Sequence, residues 1–249
     1  MKCEKYVAED NMEISVIVPV FNEEDNLLAL FERINKTLEN INKSSEVIFV
    51  NDGSTDSSFD VLKSIYERKK DIVRIVDFEK NYGQHQAILA GFSKSSGNLQ
   101  ITIDADLQNP PEEIEKIYRQ FEKGYDYIGT IRKDRNDTFF RIYTSKIINK
   151  IRKLITKIPI TDQGCMLRGY SKNISAKIIN NASNSAFIPV LAYSFAKKPI
   201  EITVLHSQRH SGKSKYNVFS LARLSLNLFK KQQSTNTTRP YKIKRLVGF

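Results

Sequence analysis

The chain has 249 residues, of which 40% are hydrophobic and 27% are charged, so it can bury a sizeable core and is not disordered by composition. Its two cysteines, Cys3 and Cys165, make neither a disulfide framework nor a zinc site, which favours a reducing compartment. The net charge is +11, and it is unevenly distributed along the sequence.

The first half alternates between predicted strands and predicted helices. Runs of β-branched and aliphatic residues predict strands, and segments with one apolar helical face predict the helices between them. The predicted strands are 14–20, 46–50, 72–78, 99–105 and 125–131. The predicted helices are about 22–41, 57–69, 84–95 and 110–124. This alternation predicts an α/β fold with a Rossmann-like, doubly wound, mostly parallel sheet.

Four loops follow the carboxyl ends of the predicted strands, where ligands bind in sheets of this kind. These loops are PVFNEED (19–25), NDGSTD (51–56), EKNYGQH (79–85) and DADLQNP (104–110). Asn22 is the predicted cap of the first helix, with the three acids that follow it in the first helical turn. Three of the four loops are rich in carboxylates and amides, which suits a polar ligand.

Asp104 and Asp106 stand one residue apart at the end of the fourth predicted strand. Strand side chains repeat every two residues, so both carboxylates are expected on one side, with Gln108 two residues further on. Two carboxylates and an amide oxygen at the mouth of a crevice suit Mg²⁺ or Mn²⁺. Such an ion would bridge a diphosphate and stabilise the charge of a leaving group.

Asp52 ends the second predicted strand, and we expect its carboxylate to point into the crevice and accept a hydrogen bond from a nucleobase. The plainer alternative for this segment is a turn followed by a helix N-cap, which Ser54, Thr55 or Asp56 could supply. Glu23, in the first loop, is a second candidate for ligand binding, and compensation of the helix dipole is its alternative role.

The second half is strongly basic. Residues 130–249 hold 24 Lys/Arg and 4 Asp/Glu, whereas residues 1–129 hold 15 and 24. This split points to a polyanionic partner, either nucleic acid or an anionic membrane surface, with a lysine-rich solvated surface as the plainer alternative. Long apolar helical faces, without an aromatic and basic β platform, argue against nucleic acid.

Residues 138–158 predict a helix with a wide apolar face and a basic polar face, which is typical of a membrane-interface segment; packing on the core is the alternative. Further predicted elements are a helix at 185–196, a strand at 200–204 and an amphipathic helix at 216–232. We expect an N-terminal tail (1–12), one domain (13–215, whose two halves meet near residue 129), that amphipathic helix, and a basic, poorly ordered tail (233–249).

The N-terminus has no apolar segment that predicts a signal peptide, and no stretch reaches the ~18 apolar residues of a transmembrane helix. We therefore expect a cytoplasmic protein, peripheral on the inner face of the membrane, with no spanning helix in this sequence. A homo-oligomer is compatible with this interpretation.

Six motifs follow one another along the chain. They are PVFNEEDN (19–26), VNDGSTDSS (50–58), KNYGQHQAILAGF (80–92), DADLQNPPEEI (104–114), TDQGCMLRGY (161–170) and RHSGKSKY (209–216). In this order they resemble the motifs of family-2 glycosyltransferases of the GT-A fold, over residues 13–230. The resemblance implies that 13–215 is a GT-A glycosyltransferase domain, with a nucleotide-binding half to about residue 129 and an acceptor half after it. The set is most similar to the polyprenyl-phosphate branch, which includes dolichol-phosphate mannosyltransferases and bactoprenol glucosyltransferases. Residues 162–216 are most similar to undecaprenyl-phosphate 4-deoxy-4-formamido-L-arabinose transferases.

The resemblance implies an inverting, metal-dependent enzyme that moves a sugar from a nucleotide-sugar donor, with UDP favoured, to a polyprenyl phosphate. The implied nucleotide-sugar contacts are Pro19, Phe21, Glu23, Asp52, Asn81, Gly83 and Asp104. The implied ligands of Mg²⁺ or Mn²⁺ are Asp104, Asp106 and Gln108. The implied catalytic residues are Asp162, Asp104 and Asp106. The implied acceptor and phosphate contacts are Arg132, Arg135, Arg209, Ser214 and Lys215.

A phosphate monoester acceptor has a second pKa near ~6 and is largely ionised at neutral pH. It is already nucleophilic, so a strong general base is less necessary than for a sugar hydroxyl. We therefore expect Asp162 mainly to orient the acceptor or donor, while Arg132, Arg209 and Lys215 position the phosphate.

Members of this branch usually continue into two C-terminal transmembrane helices, and no comparable apolar stretch is present in this sequence. This difference from the branch has three interpretations: natural truncation, a frameshifted or split gene, or docking through the two basic helices alone. Two other functions stay open, namely a soluble family-2 transferase acting on a glycan or lipid hydroxyl and a catalytically silent membrane-surface protein.

Overall fold

The computed structural model describes five parts of the chain, which are residues 12–133, 160–162, 164–181, 187–206 and 240–249. The strands within these ranges form one eight-stranded sheet. They are β1 (Ile14–Val20), β2 (Ser45–Asn51), β3 (Val73–Phe78), β4 (Leu99–Thr102), β5 (Tyr127–Arg132), β6 (Arg168–Ser171), β7 (Pro199–Val204) and β8 (Ile243–Val247).

The strand order across the sheet is β7-β5-β6-β4-β1-β2-β3-β8. Strands β1 to β4 are parallel to one another, and β7 is parallel to β5. Strand β6 is antiparallel to both β4 and β5, and β8 is antiparallel to β3. Because β4 and β5 both oppose β6, they run in the same direction. The carboxyl ends of β1 to β5 therefore meet at one edge of the sheet.

Helices cover both faces of the sheet. They are α1 (Leu27–Ile41), α2 (Ser58–Arg68), α3 (Gln84–Lys94), α4 (Ile114–Glu122, preceded by a 3₁₀ turn at Pro111–Glu113), α5 (Lys172–Asn181) and α6 (Ile188–Phe195). The apolar side chains of α1, α2 and α4 pack with Val16 and Val18 of β1, while those of α3, α5 and α6 pack with Ile17. This alternation along a buried strand confirms the predicted doubly wound, mostly parallel α/β fold.

The predicted cap of the first helix was wrong. Helix α1 begins at Leu27, directly after Asn26, so Asn22 and the three acids that follow it lie before the helix. Asn22 has a φ of +54°, and it binds the β2–α2 loop through its N–H to Ser54 Oγ at 3.0 Å. Its side-chain oxygen also accepts the N–H of Thr55 at 2.8 Å. Asn22 therefore joins two loops at the carboxyl edge.

The predicted fourth strand is shorter than expected. Strand β4 ends at Thr102, and the chain turns through Leu107, whose φ is +60°. Asp104 and Asp106 both lie beyond the strand, so the prediction that strand alternation places them on one side was wrong.

The expectation of a poorly ordered tail was wrong for residues 240–249. Strand β8 pairs with β3, with Asp77 opposite Arg245. Tyr241, just before β8, is buried against Phe78 of β3, with ring centroids 5.0 Å apart. This segment is therefore packed on the edge of the sheet.

The two predicted basic helices, 138–158 and 216–232, lie outside the described residues, as do residues 233–239. The predicted elements at 185–196 and 200–204 correspond to α6 and β7 where they are described. Within the described parts of the chain, no helix combines the length and the apolar character needed to cross a membrane.

Candidate active site

Asp52 lies directly after β2 and is 3% exposed. Its carboxylate accepts two main-chain hydrogen bonds from the β3–α3 loop, from the N–H of Tyr82 to Oδ1 at 2.7 Å and from the N–H of Gly83 to Oδ2 at 2.9 Å. Burial raises the pKa of Asp52 to about 6, although these two hydrogen bonds oppose the shift. The carboxylate is thus held by a neighbouring loop and changes charge close to neutral pH.

Gly53 brings the β2–α2 loop into close contact with the β3–α3 loop. Its φ is +65°, and a Cβ at this position would lie 2.3 Å from the main-chain carbon of Lys80 and 2.5 Å from the nitrogen of Asn81. Both the backbone conformation and the space require glycine. Asn81 and Gly83, two residues predicted to line the nucleotide pocket, are therefore held beside Asp52.

The β1–α1 loop forms the next part of this edge. Pro19 lies in β1, and Phe21 follows the strand. Glu23 donates its N–H to Ser58 Oγ at 2.9 Å, and its carboxylate accepts a 2.8 Å hydrogen bond from Nδ2 of Asn26. The structure therefore places Glu23 beside the Asp52 loop, where it orders the start of α1. Its contact with a nucleoside stays a prediction.

Asp104 is connected to Asp52 through two consecutive residues. Oδ1 of Asp104 accepts a 2.6 Å hydrogen bond from Nε2 of Gln84, the first residue of α3. Gly83, the residue before it, donates to Asp52. The two acids that were predicted to contact the donor therefore lie near one another at the carboxyl edge.

Asp106 and Gln108 continue the same loop. Asp106 is 8% exposed, and its Oδ1 accepts the N–H of Gln108 at 3.2 Å. Carboxylate and amide oxygens are hard donors, and Mg²⁺ is usually bound by one or two carboxylates together with substrate phosphates and water. The residues present therefore fit such an ion. Within the described ranges, no group of three or more His, Cys, Asp or Glu side chains is arranged to hold a metal.

Asp162 forms a buried ion pair with Arg132 at the end of β5. The guanidinium donates from Nε to Oδ2 at 2.7 Å and from Nη2 to Oδ1 at 3.0 Å. The side chain of Arg132 is 14% exposed, and that of Asp162 is 7% exposed. The N–H of Gly164 also donates to Oδ1, at 3.1 Å. The carboxylate therefore fixes the direction of the guanidinium by a two-point, charge-assisted contact.

Arg168, in β6, fixes the loop that carries Asp162. It is completely buried, and it donates to the main-chain oxygen of Cys165 at 2.7 Å and to that of Asp162 at 2.5 Å. A third hydrogen bond joins its Nη1 to the hydroxyl of Tyr127 at 2.6 Å. A charge buried this deeply is tolerated because its donors are satisfied.

Cys165 connects this loop to the loop of Asp104. Burial raises the pKa of the Cys165 thiol, so it stays protonated. The thiol donates to the side-chain oxygen of Asn109 at 3.4 Å, and the hydroxyl of Thr130 contacts the sulfur at 2.9 Å. The loop that follows β4 and the strand β5 are thereby joined to the Asp162 loop.

At the carboxyl edge, the structure thus connects Asp52 with Asp104 and pairs Arg132 with Asp162, while the ligand contacts of the predicted site residues stay predictions. Arg135, Arg209, Ser214 and Lys215 lie outside the described residues. Gln84, Asn109 and Arg168 were not among the residues predicted from the sequence to have a role in the site. Arg168 had a detectable signal, since it is a lone charge in the otherwise apolar or small stretch CMLRGY.

Comparison with known proteins finds a matching family model and several similar transferases. The family model for Glycosyl transferase family 2 matches residues 15–179. An undecaprenyl-phosphate 4-deoxy-4-formamido-L-arabinose transferase from Serratia proteamaculans is 43% identical over 235 residues, which cover 94% of this chain and 71% of the relative. The transferase of the same name from Pectobacterium atrosepticum is 42% identical over 241 residues, covering 96% and 72%.

Solved structures share the fold at low sequence identity. One is glucosyl-3-phosphoglycerate synthase from Mycobacterium tuberculosis in complex with Mn²⁺ and uridine-diphosphate-glucose. It has a TM-score of 0.61 and 13% identity, and the match covers 87% of this chain and 76% of that chain. At this identity the likeness supports the fold and nothing finer.

Proposed function

Because the chain belongs to glycosyl transferase family 2, we propose that it transfers a sugar from a nucleotide-sugar donor to a polyprenyl phosphate. The observation that carries the proposal is the meeting of Asp52, Asp104 and the Arg132–Asp162 pair at one edge of the sheet. The proposed acceptor class is supported by the relatives named for undecaprenyl phosphate, to which the chain is similar along almost its whole length.

Asp52 would recognise the base of the donor. Each carboxylate oxygen has two lone pairs, so Oδ1 and Oδ2 can each accept a further hydrogen bond beside those from Tyr82 and Gly83. An imide N–H, such as that of uracil, is the matching donor. We propose UDP as the nucleotide, in agreement with the motif resemblance.

Asp104, Asp106 and Gln108 would hold Mg²⁺ or Mn²⁺ at the diphosphate. When bound, the ion would neutralise the negative charge that the departing diphosphate gains. Gln84 keeps Asp104 in one orientation through its 2.6 Å hydrogen bond. Such support of a ligand by a neighbouring hydrogen bond is a common feature of metal sites.

Arg132 would contact the acceptor phosphate, and Asp162 would hold Arg132 in the direction that this contact requires. The acceptor oxygen then attacks the anomeric carbon while the diphosphate leaves, in one displacement that inverts the configuration. Because the phosphate monoester is already ionised, the proton that a general base would remove is absent. The bidentate Asp162–Arg132 contact supports an orienting role for this carboxylate.

The membrane is the proposed place of the reaction, since a long prenyl chain is insoluble in water. The excess of 24 Lys/Arg over 4 Asp/Glu after residue 129 would attract an anionic lipid surface. Attraction of this kind contributes ~1 kcal/mol per basic residue near the surface. Sedimentation with phosphatidylglycerol vesicles should therefore exceed sedimentation with phosphatidylcholine vesicles and decrease with salt.

The decisive experiment compares two acceptors that differ only in the phosphate. The full chain is first screened for stabilisation by UDP and GDP with and without Mn²⁺, because a bound ligand raises the melting temperature. Radiolabelled sugars of the stabilising nucleotide are then offered with a short polyprenyl phosphate or with the corresponding prenol, in vesicles. Asp104→Asn serves as the inactive control.

Metal-dependent labelling of the polyprenyl phosphate alone supports the proposal. Labelling of the prenol, or of an added glycan, would instead identify a transferase that acts on hydroxyl groups. Binding of UDP with Mn²⁺ but without transfer to any acceptor would identify a catalytically silent protein. Absence of binding to either nucleotide would overturn the proposal altogether.

A further inference from the structure

We infer that residues 240–249 form part of the nucleotide-binding site, with Arg245 and Tyr241 as positioning residues for Asp52. The inference rests on the proposed function, because it takes Asp52 to be the group that binds the nucleobase. Two separate paths of contacts lead from this segment to Asp52, one polar and one aromatic.

The polar path runs through the buried acid of β3. Nε of Arg245 donates a 2.7 Å hydrogen bond to Oδ2 of Asp77. Nη2 of the same guanidinium lies 2.6 Å from that oxygen. Oδ1 of Asp77 accepts a 2.8 Å hydrogen bond from Nδ2 of Asn51, the residue directly before Asp52. The Asp77 side chain is only 3% exposed, so its oxygens depend on these partners for hydrogen bonds. Arg245 also lies over the ring of Phe59 at 3.7 Å, which fixes its guanidinium.

The aromatic path runs through the ring of Phe78. Tyr241 stacks on Phe78 with centroids 5.0 Å apart and an angle of 20° between the rings. Phe78 meets Tyr82 edge to face at 5.6 Å. The N–H of Tyr82 is one of the two donors to the carboxylate of Asp52. The position of Tyr241 is therefore transmitted to the loop that holds Asp52.

Close contacts fix the segment at both ends of β3, with Lys242 at the carboxyl end and Gly248 at the amino end. The N–H of Glu79, which starts the β3–α3 loop, donates to the main-chain oxygen of Lys242 at 3.1 Å. Gly248 packs so closely that a Cβ would lie 2.7 Å from the ring of Tyr66. The β3–α3 loop is thus enclosed between Gly53 on one side and residues 240–249 on the other.

This arrangement predicts a specific consequence of weakening the segment. The N–H groups of Tyr82 and Gly83 would sample more orientations, and the Asp52 carboxylate would lose its fixed direction. Preorganised groups bind ligands more tightly than mobile ones, so nucleotide affinity would decrease. The turnover of donor that is already bound would change little.

The experiment compares Arg245→Ala, Arg245→Lys and Tyr241→Ala with Lys244→Ala in the full chain. Lys244 is exposed on the same strand and carries the same charge as Arg245, which makes it the matched control. The dissociation constant of UDP with Mn²⁺ is measured by calorimetry well below the melting temperature of each variant. Hydrogen exchange of the Tyr82 and Gly83 amides is measured without nucleotide.

We expect Arg245→Ala and Tyr241→Ala to bind UDP about tenfold more weakly and to exchange the two amides faster. Arg245→Lys should recover part of the affinity, since lysine restores the charge but not the planar stacking on Phe59. Lys244→Ala should match the wild type in both measurements. If Tyr241→Ala does not fold, Tyr241→Leu tests the same path.

If the Tyr82 and Gly83 amides exchange at the same rate in Arg245→Ala and Tyr241→Ala as in the wild type, the inference is overturned, whichever nucleotide the protein binds. A lower melting temperature with unchanged UDP affinity would also overturn it, because the segment would then only stabilise the fold. If the wild type binds neither UDP nor GDP, the proposed function fails. The exchange measurement still decides whether residues 240–249 position the loop.

Discussion

The guanidinium of Arg132 and the carboxylate of Asp162 share two parallel hydrogen bonds, of 2.7 Å and 3.0 Å, in a largely buried setting. A carboxylate in this arrangement already directs its oxygens at a cation. It is therefore suited to fix that cation beside an anionic acceptor, and less suited to remove a proton.

Replacing Asp162 by Asn tests this role. Asn keeps one oxygen for the guanidinium, so kcat should decrease only about tenfold, with a similar increase in the KM of the acceptor. Arg132→Lys should have a comparable effect, and the double variant should be little worse than either single variant, because both act through one contact. A loss of about 10⁴-fold or more in kcat for Asp162→Asn would instead establish obligatory base catalysis.

The raised pKa of Asp52 predicts pH-dependent donor binding. The carboxyl group is neutral below about pH 6 and ionised above it, and the ionised form is the stronger hydrogen-bond acceptor. UDP affinity should therefore increase as the pH rises from 5 to 7. The phosphate of UDP titrates in the same range, so Asp52→Asn is the necessary control. A pH profile identical in both proteins would contradict the assignment.

The raised pKa of Asp52 affects stability in the opposite direction from donor binding, because it lowers the free energy of unfolding as the pH rises. Its folded-state value of about 6 exceeds the ordinary value of 3.8, so the folded chain keeps a proton that the unfolded chain loses. The contribution of Asp52 to the free energy of unfolding should therefore decrease as the pH rises from 3.8 to about 6. Urea unfolding of the wild type and Asp52→Asn across this range measures the difference, which should be constant above pH 7.

Gln84→Ala should weaken the metal-dependent part of nucleotide binding by about 10- to 100-fold, because Asp104 loses the donor that orients it. The measurement is the ratio of UDP affinities with and without Mn²⁺. In an Asp104→Asn background the same replacement should have little further effect. Equal losses with and without Mn²⁺ would show that Gln84 contacts the nucleotide by another route.

Arg168→Met should reduce the free energy of unfolding by about 3 kcal/mol, since two buried main-chain oxygens and the Tyr127 hydroxyl lose their partner. Arg33→Met is the matched control, because Arg33 makes a bidentate contact with Glu112 on the surface. Its effect should stay within about 1 kcal/mol. Similar effects of the two replacements would refute the structural importance of Arg168.

The central strands could be predicted because their signal is local. Strands β1 and β2 are buried on both faces, and each contains a run of hydrophobic residues, VIV in β1 and VIFV in β2. Strand β6 has no such signal, since Arg168 and Gly169 occupy half of it. It is a strand because it pairs with β4 and β5, and its buried arginine is tolerated because two main-chain oxygens of the preceding loop and the hydroxyl of Tyr127 accept its hydrogen bonds.

The candidate site was partly predictable for the same reason. Asp52 and Asp104 follow strands, and the position of a strand end can be estimated from its apolar run. The contacts that orient them come from elsewhere in the chain, from Gly83 and Gln84 at the start of α3. Nothing in the local sequence of Asn22 distinguishes a helix cap from a bridge between loops, and the bridge formed because the β2–α2 loop lies next to it.

Strand β8 also has a consequence for solubility. Without it, β3 would be the outermost of the described strands on its side, and its main chain would offer open N–H and C=O groups to a strand of another molecule. Residues 243–247 occupy that position and replace it with an edge that carries Lys244 and Arg245. Like charges on two such edges repel each other, so the segment also protects the protein from strand-to-strand aggregation.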